Sequence, residues 1–244
     1  MTLHSVLHIM ADDLRPDIEP YGTEGAHTPS LTRLSKGATV FDRVYAQQGV
    51  CGPSRNSYMS GRRPDRSRSW NFINHFREDH PDWTTLPGVF LRVGALALAA
   101  GKTYHPMLPP AYDGAKSWSA SALPYRNECW NTADDTSAKF QDGGLPCVPC
   151  PIDLAKYVLK DKNVSVVNDW CEIDAYEDTL TVHQAIKTMR EAKDRHFYLA
   201  VGLHKPHYPY QAAPEDFAHH PIENVRPRAC LPTHACLPIP MRTY

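Results

Sequence analysis

Two adjacent carboxylates follow the first apolar segment of the chain. Asp12 and Asp13 come just after Ser5–Met10, a short run that is apolar on both faces and typical of a buried parallel strand. Carboxylate oxygens are the ligands that Ca²⁺ and Mg²⁺ prefer. The same side chains could instead accept hydrogen bonds from backbone N–H groups and cap the junction of strand and loop. The residues alone leave metal binding and capping open.

A cysteine stands at the start of a second candidate site. Cys51–Ser54 has the composition of a turn that leads into a helix, and Arg55 follows directly. A helix N-terminus and a nearby guanidinium both favour the thiolate form of a cysteine. A buried or disulfide-bonded cysteine is the alternative interpretation. Cys51 is therefore a candidate reactive residue.

Two basic segments also follow predicted strands. Lys102 comes after Phe90–Gly101, whose Ala, Leu and Val residues fit either a helix or a strand, and His204 comes after the buried strand Phe197–Val201. In parallel sheets, ligands bind beyond the carboxyl ends of the strands. We expect Lys102, His204 and the two carboxylates to share that edge of one sheet.

The remaining pattern alternates helices with strands. Thr28-Pro29 predicts a helix start, and Thr39–Tyr45 predicts a second extended segment. Thr179–Arg195 has the apolar spacing of a helix. Residues 106–178 lack apolar periodicity, which predicts a long stretch of loops. This alternation predicts an α/β fold with a mostly parallel sheet flanked by helices.

Four sequence blocks resemble one enzyme family. Cys51–Arg55 reads Cys-x-Pro-Ser-Arg and resembles the signature of sulfatases, in which the cysteine is oxidised to formylglycine. Ile9–Pro16 looks like that family's first strand and metal-binding loop. Ala46–Asp65, Gly101–Pro106 and Ala200–His207 are similar to the iduronate-2-sulfatase branch. The blocks occur in the same order as in the family, and together they are specific for sulfatases.

The resemblance implies a fold, a reaction and its cofactors. The fold would be alkaline-phosphatase-like, and the reaction would be hydrolysis of a sulfate ester on a sugar or glycosaminoglycan. Cys51 would be converted to formylglycine by the formylglycine-generating enzyme, and its hydrate would attack sulfur. Asp12, Asp13 and the modified Cys51 would hold Ca²⁺, with Mg²⁺ as the alternative.

The resemblance also implies roles for four further side chains. Arg55 would stabilise the formylglycine and neighbouring anions. Lys102 would bind the sulfate as its charge redistributes in the transition state. His105 would be the base for the hydrate. His204 would contact the sulfate or protonate the leaving alcohol.

The same resemblance implies that Lys205 and His207 bind the substrate. The residue types alone also permit simpler interpretations. Lys102 and His105 could be a solvated pair on a loop, and His204 could be a histidine that caps the end of a strand.

Part of the family's pattern does not occur in this chain. Sulfatases complete the metal site with a later Asp-His or Asp-Asn pair, and no such pair follows the His204 block. We therefore expect a truncated catalytic domain. Residues 1–220 would be its incomplete N-terminal part, with a loop-rich insertion at about 106–178. Residues 221–244 would be an irregular tail.

Composition excludes several partner classes. The 244 residues carry a formal net charge of -1, which gives no general attraction to nucleic acid or to an anionic membrane. No apolar run approaches the ~18–20 residues that span a bilayer. The N-terminus lacks the features of a signal peptide, although the resemblance implies a lysosomal or secreted protein. The compartment stays open.

Seven cysteines raise the question of pairing. An odd number leaves at least one unpaired. We favour a disulfide from Cys129 to Cys147 or Cys150, which would require an oxidising compartment. The pair Cys147 and Cys150 alone is a weak zinc signal. Asn163 begins a glycosylation sequon that matters only in a secreted protein.

Two functions besides sulfate ester hydrolysis stay open. The same fold could support a phosphoester or phosphonate hydrolase. Alternatively, the chain could be an inactive fragment or a glycan-binding remnant that lacks the second half of the metal site. That last hypothesis predicts an ordinary thiol at Cys51 and weak binding of Ca²⁺.

Overall fold

A three-stranded parallel sheet forms the centre of the structure. The computed structural model describes residues 4–105, 108–119, 166–167, 177–207, 210–212 and 214–221. The described strands are β1 (Val6–Ala11), β2 (Leu96–Gly101), β3 (Val166–Val167), β4 (Phe197–Leu203) and β5 (Tyr210–Gln211). The central sheet has the order β1-β4-β2, and β3 pairs with β5 in a separate parallel sheet.

Helices flank the central sheet, as the sequence predicts. They are α1 (Pro29–Ser35), α2 (Cys51–Ser60), α3 (Pro64–Ser67), α4 (Phe76–Asp79), α5 (Leu86–Arg92), α6 (Gly114–Ser117), α7 (Glu177–Glu191) and α8 (Pro214–Ala218). Two 3₁₀ turns lie at Glu19–Tyr21 and Pro110–Asp113. None of the described helices is long and apolar enough to cross a membrane.

Two apolar cores lie on opposite faces of β2 and β4. Successive side chains of a strand point to opposite faces, so each strand contributes alternate residues to each core. Tyr198 and Ala200 belong to the first core, with residues of α2, α4 and β2 and with Tyr104 and Trp118. Leu199 and Val201 belong to the second, beneath α7. Both faces of this half of the sheet are therefore covered.

β1 is a parallel strand, as predicted, and pairs with β4, but it is not buried. Leu7, which is 45% exposed, pairs with the fully buried Leu199 of β4, and Ile9 is 59% exposed. β1 forms an edge of the three-stranded sheet, and the packing of α5 and α7 is concentrated on β2 and β4. The prediction of burial was wrong because an apolar strand is buried only where other elements cover it.

Most predicted helix positions are confirmed. α1 begins at Pro29 after Thr28, α2 begins at Cys51, and α7 occupies most of the predicted Thr179–Arg195. Phe90–Gly101 divides into the end of α5 and the strand β2, which explains its mixed pattern.

The predicted extended segment at Thr39–Tyr45 is not a strand in the structure. Its apolar side chains Val44 and Tyr45 are largely exposed, and no strand of the described sheets pairs with it.

The predictions for Cys129, Cys147, Cys150 and Asn163 lie outside the described residues. So do most of the predicted insertion at 106–178 and all but the first residue of the predicted tail at 221–244. The division into domains stays a prediction.

Candidate active site

Asp12 lies between two cations at the carboxyl end of β1. Its Oδ1 is 3.1 Å from Nη2 of Arg55, and its Oδ2 contacts Nζ of Lys102. All three side chains are buried. Burial alone would raise the pKa of Asp12, but the charges of Arg55 and Lys102 outweigh it and lower that pKa. One carboxylate between two cations leaves an excess of positive charge that suits an anionic ligand.

Arg55 connects helix α2 to the end of β2. It occupies the fifth position of α2, and its Nη1 donates to the carbonyl of Lys102, to the carbonyl of Thr103 at 3.3 Å and to the hydroxyl of Tyr58 at 3.2 Å. Burial alone would lower the pKa of Arg55, but Tyr58 and Asp12 raise it. The guanidinium is thus charged and fixed on several sides, and it can hold Asp12 in place.

Two glycines allow Lys102 to leave β2 beside β4. The N–H of Lys102 donates to the carbonyl of Gly202 at 2.8 Å. Gly101 has a φ of +68°, and a Cβ there would lie 2.2 Å from that same carbonyl oxygen. A Cβ on Gly202 would lie 1.8 Å from the carbonyl oxygen of Lys102. Only glycine permits this close approach of the two strand ends.

Cys51 is a half-buried, free thiol at the first residue of α2. Burial raises its pKa, and the charge of Asp12 adds to that effect, while Lys102 and Arg55 oppose it. The sequence-based expectation of a favoured thiolate was therefore wrong. Cys51 lies one helical turn before Arg55 on α2, and the charges of Asp12, Lys102 and Arg55 all act on its thiol.

The turn after β4 carries three predicted site residues. His204 is buried, and its ring lies 4.8 Å from that of His207. Burial lowers the pKa of His204 to about 4, and the charges of Lys102 and Lys205 act in the same direction. His204 is thus neutral at pH 7. The backbone N–H groups of His204 and Lys205 both donate to the carboxylate of Asp178 in α7, at 2.6 and 2.9 Å.

His105 lies on the side of the site where α2 begins. It is half-buried, and its ring packs against Phe72 with centroids 4.8 Å apart. Phe72 also covers Gly52, since a Cβ on that glycine would lie 3.0 Å from its Cδ1. Phe72 thus links His105 to the residue that follows Cys51.

Asp12 and Asp13 are the two described carboxylates that the sequence predicts as metal ligands. Asp13 is largely exposed, and its Oδ2 is 3.7 Å from Nε2 of His207. The oxygen ligands of Asp12 and Asp13 suit Ca²⁺, but Asp12 is engaged by Arg55 and Lys102. Within the described ranges, no group of three or more His, Cys, Asp or Glu side chains is arranged to bind a metal. The described residues therefore do not form a metal site by themselves.

The sheet edge brings together most residues that the sequence singled out. Asp12, Arg55 and Lys102 form one network, and the turn at His204–His207 reaches Asp13. Motif spacing did not reveal Tyr58, Phe72 or Asp178. Asp178 had one visible signal, because it directly precedes the predicted helix start at Thr179 and aspartate is common at that position. The contacts of Tyr58 and Phe72 depend on packing and have no sequence signal.

Fold and site together define an α/β domain with a buried network of Asp12, Arg55 and Lys102 at the carboxyl edge of its sheet. A protein-family model described as Sulfatase matches residues 4–221. The chain therefore belongs to the sulfatase family.

Curated relatives and a solved structure are consistent with that assignment. Iduronate 2-sulfatase of Mus musculus is 31% identical over 225 residues, and that of Homo sapiens is 31% identical over 228 residues. Each alignment covers 91% of this chain and 38% of the relative, so the chain spans well under half of their length. The crystal structure of Ps i-CgsB has a TM-score of 0.60 at 20% identity, covering 91% of this chain and 50% of that one. The predicted alkaline-phosphatase-like fold is confirmed.

Proposed function

We propose that this chain forms part of a sulfatase active site and takes part in hydrolysis of a sulfate ester through a formylglycine derived from Cys51. The observation that carries the proposal is the cluster at the sheet edge. Cys51 shares its surroundings with Arg55 and Lys102, two buried cations that face a single carboxylate. The excess positive charge suits a sulfate group and its transition state.

The state of the Cys51 thiol favours formylglycine over a thiolate nucleophile. Burial raises the pKa of Cys51, so at neutral pH the residue stays a thiol, which is a weak nucleophile. A hydrated aldehyde at this position supplies one hydroxyl that attacks sulfur as the ester O–S bond breaks, and the alcohol leaves with the proton that this hydroxyl loses. The second hydroxyl then loses its proton, which expels the sulfate and re-forms the aldehyde. The formylglycine-generating enzyme is the partner that this modification requires.

The other side chains bind and orient the sulfate in this proposal. Lys102 places its ammonium beside Asp12 at the end of β2, where it neutralises negative charge on the sulfate. Arg55 keeps Asp12 and the start of α2 in place. His105, on the side where α2 begins, takes a proton from the hydrate.

The pKa of His204 favours one of its two expected roles, which are contact with the sulfate and protonation of the leaving alcohol. At a pKa of about 4 the imidazole is neutral at pH 7, so it is a hydrogen-bond donor or acceptor rather than a source of a proton. We therefore assign it contact with the sulfate rather than protonation of the leaving alcohol. Lys205 and His207 follow on the same turn and would contact the rest of the substrate.

A divalent cation would be held by residues at the end of β1. Asp12 and Asp13 are the residues that would hold Ca²⁺ or Mg²⁺, which would neutralise charge on the sulfate. These two residues do not complete a site among the described side chains, and the roles assigned above are roles of this chain's own residues.

A sulfated sugar is the proposed substrate class. The two iduronate 2-sulfatases, each 31% identical to this chain, are the relatives that support it. A glycosaminoglycan is the polymer in which such a sugar would occur.

Release of sulfate tests the proposal. The full chain, produced together with the formylglycine-generating enzyme and supplied with Ca²⁺, would be incubated with a sulfated monosaccharide and, separately, with a phosphonate monoester. We expect sulfate release by the wild type and loss of ~10³-fold or more in Cys51→Ala. Lys102→Met should lose ~10²–10³-fold.

Lys187→Met is the matched control, since this lysine lies exposed on α7 and should be dispensable. Hydrolysis of the phosphonate ester alone would favour the phosphorus-ester alternative. Absence of hydrolysis, together with an unmodified Cys51, would favour the inactive or glycan-binding remnant.

A further inference from the structure

Asp178 makes two hydrogen bonds to the turn that carries the predicted histidines. Its Oδ1 accepts from the backbone N–H of His204 at 2.6 Å, and its Oδ2 accepts from the backbone N–H of Lys205 at 2.9 Å. Both bonds are charge-assisted because the acceptor is a carboxylate. One side chain from α7 thus fixes two consecutive peptide groups at the end of β4.

The orientation of this turn determines where three candidate site residues lie. The N–H of His207 donates to the carbonyl of His204 at 3.1 Å, which closes the turn. The ring of His204 is buried, and Nε2 of His207 is 3.7 Å from Oδ2 of Asp13. A shift of the peptide groups that Asp178 holds would therefore move His204, Lys205 and His207 together.

The first turns of α7 are themselves fixed against the sheet. Thr181 is fully buried one turn after Asp178, and its Cγ2 lies 2.6 Å from the position that a Cβ on Gly101 would take. Gly101 ends β2 and directly precedes Lys102. Asp178 is thus anchored to the strand end that presents Lys102, and it reaches across to the strand end that presents His204.

We propose that Asp178 is a positioning residue, which holds the His204–His207 turn in register with Lys102 through the two backbone hydrogen bonds. It acts through the backbone and does not contact the substrate. The inference rests on the proposed function, because the turn is useful to catalysis only if His204 meets the sulfate. The hydrogen bonds themselves do not depend on that function.

Asp178→Asn is the most informative variant. The amide keeps the shape of the carboxylate but offers one acceptor oxygen, and its NH₂ group would face an N–H donor. Asp178→Ala removes both acceptors, and Asp178→Glu keeps the charge while moving the carboxylate by one methylene. Glu191→Gln is the matched control, since it removes a carboxylate from an exposed position on the same helix.

Sulfate ester kinetics should separate positioning from stability. In Asp178→Asn we expect kcat to fall ~10–10²-fold with KM within ~3-fold, because a small displacement of a reacting group is costly while Lys102 still binds the sulfate. Asp178→Glu should recover part of kcat. Asp178→Asn with a lowered melting temperature but an unchanged kcat for each folded molecule would show a structural role only and would overturn the proposal.

Hydrogen exchange at the backbone amides of His204 and Lys205 provides a readout that needs no activity. We expect slow exchange at both amides in the wild type and in Glu191→Gln, fast exchange at one or both amides in Asp178→Asn, and fast exchange at both in Asp178→Ala. Equal exchange in all four proteins would overturn the proposal. If the wild type hydrolyses no sulfate ester, the proposed function fails, and the exchange data alone decide whether Asp178 fixes the turn.

Discussion

The two halves of the central sheet differ in how they are covered, although their sequences look alike. Leu7 of β1 and Leu199 of β4 are neighbours in the sheet, yet one is 45% exposed and the other fully buried. Ile9 and Val201 repeat the contrast at 59% and 3%. β4 lies between two strands with helices packed on it, whereas β1 is an edge of the described sheet. An apolar run thus predicts a strand, but its burial depends on neighbours.

The exposed strand nevertheless delivers a buried site residue. Ala11 pairs with Leu203, so Asp12 and His204 leave their strands at the same level, and Gly101 pairs with Gly202, which aligns Lys102 with them. Asp12 is buried because α2 and the end of β2 supply Arg55 and Lys102. The positions of the site residues therefore depend on the register of the three strands, and the burial of Asp12 depends on Arg55 and Lys102. Burial of the rest of β1 is not required.

Removing Asp12 should produce the largest effect on stability. Asp12→Ala would leave Arg55 and Lys102 buried without their shared counterion, and loss of one partner of a buried ion pair costs about 3–5 kcal/mol. The free energy of unfolding in urea is the measurement. Asp65→Ala is the control, because its ion pair with Arg63 is exposed and its loss should leave the unfolding midpoint unchanged. Equal effects of the two variants would contradict the buried network.

A pair of leucine truncations tests whether β4 is buried and β1 is exposed. Leu199→Ala should cost about 2–5 kcal/mol because it opens a cavity in a closed core. Leu7→Ala should cost under ~1 kcal/mol because a large part of that side chain already contacts solvent. Urea unfolding of both variants is the measurement. A Leu7→Ala cost as large as that of Leu199→Ala would mean that β1 is covered.

The approach of β2 to β4 can be tested with two glycines that share a positive φ. Gly94→Ala should cost about 1–2 kcal/mol from backbone strain alone, since a Cβ there has nothing within 4 Å. Gly101→Ala should cost more, because its Cβ would also meet the carbonyl of Gly202. The difference between the two unfolding free energies isolates that contact. Equal losses of unfolding free energy in Gly94→Ala and Gly101→Ala would mean that the ends of β2 and β4 can move apart to accept the extra Cβ.

Acid should destabilise the folded chain through His204. Because burial lowers the pKa of His204 to about 4, the unfolded chain binds a proton on this side chain first as pH falls below about 6.5. The free energy of unfolding should therefore fall between about pH 6.5 and 4. His204→Gln should flatten the slope in this range, whereas His183→Gln, at an exposed position on α7, should not. An unchanged slope in His204→Gln would show that His204 does not lie in this environment.

The sequence predicted the convergence of Asp12, Lys102 and His204 because each follows a parallel strand, and the carboxyl ends of such strands meet. It could not predict the exposure of β1, since the elements that cover a strand are distant along the chain. It also misjudged the Cys51 thiol, because burial and the charge of Asp12 raise its pKa by more than Lys102 and Arg55 lower it. The contact of Asp178 with the His204 turn depends on the packing of α7, which local spacing does not encode.

The chemical state of Cys51 decides whether this residue is the precursor of a formylglycine. The chain would be produced in its native host and digested with trypsin, and the peptide of residues 44–55 would be analysed by mass spectrometry. We expect the mass of an aldehyde in place of the thiol, with no uptake of an alkylating reagent. A peptide that carries an intact, alkylatable thiol throughout would contradict the formylglycine mechanism, and the cluster around Asp12 would then be a binding site at most.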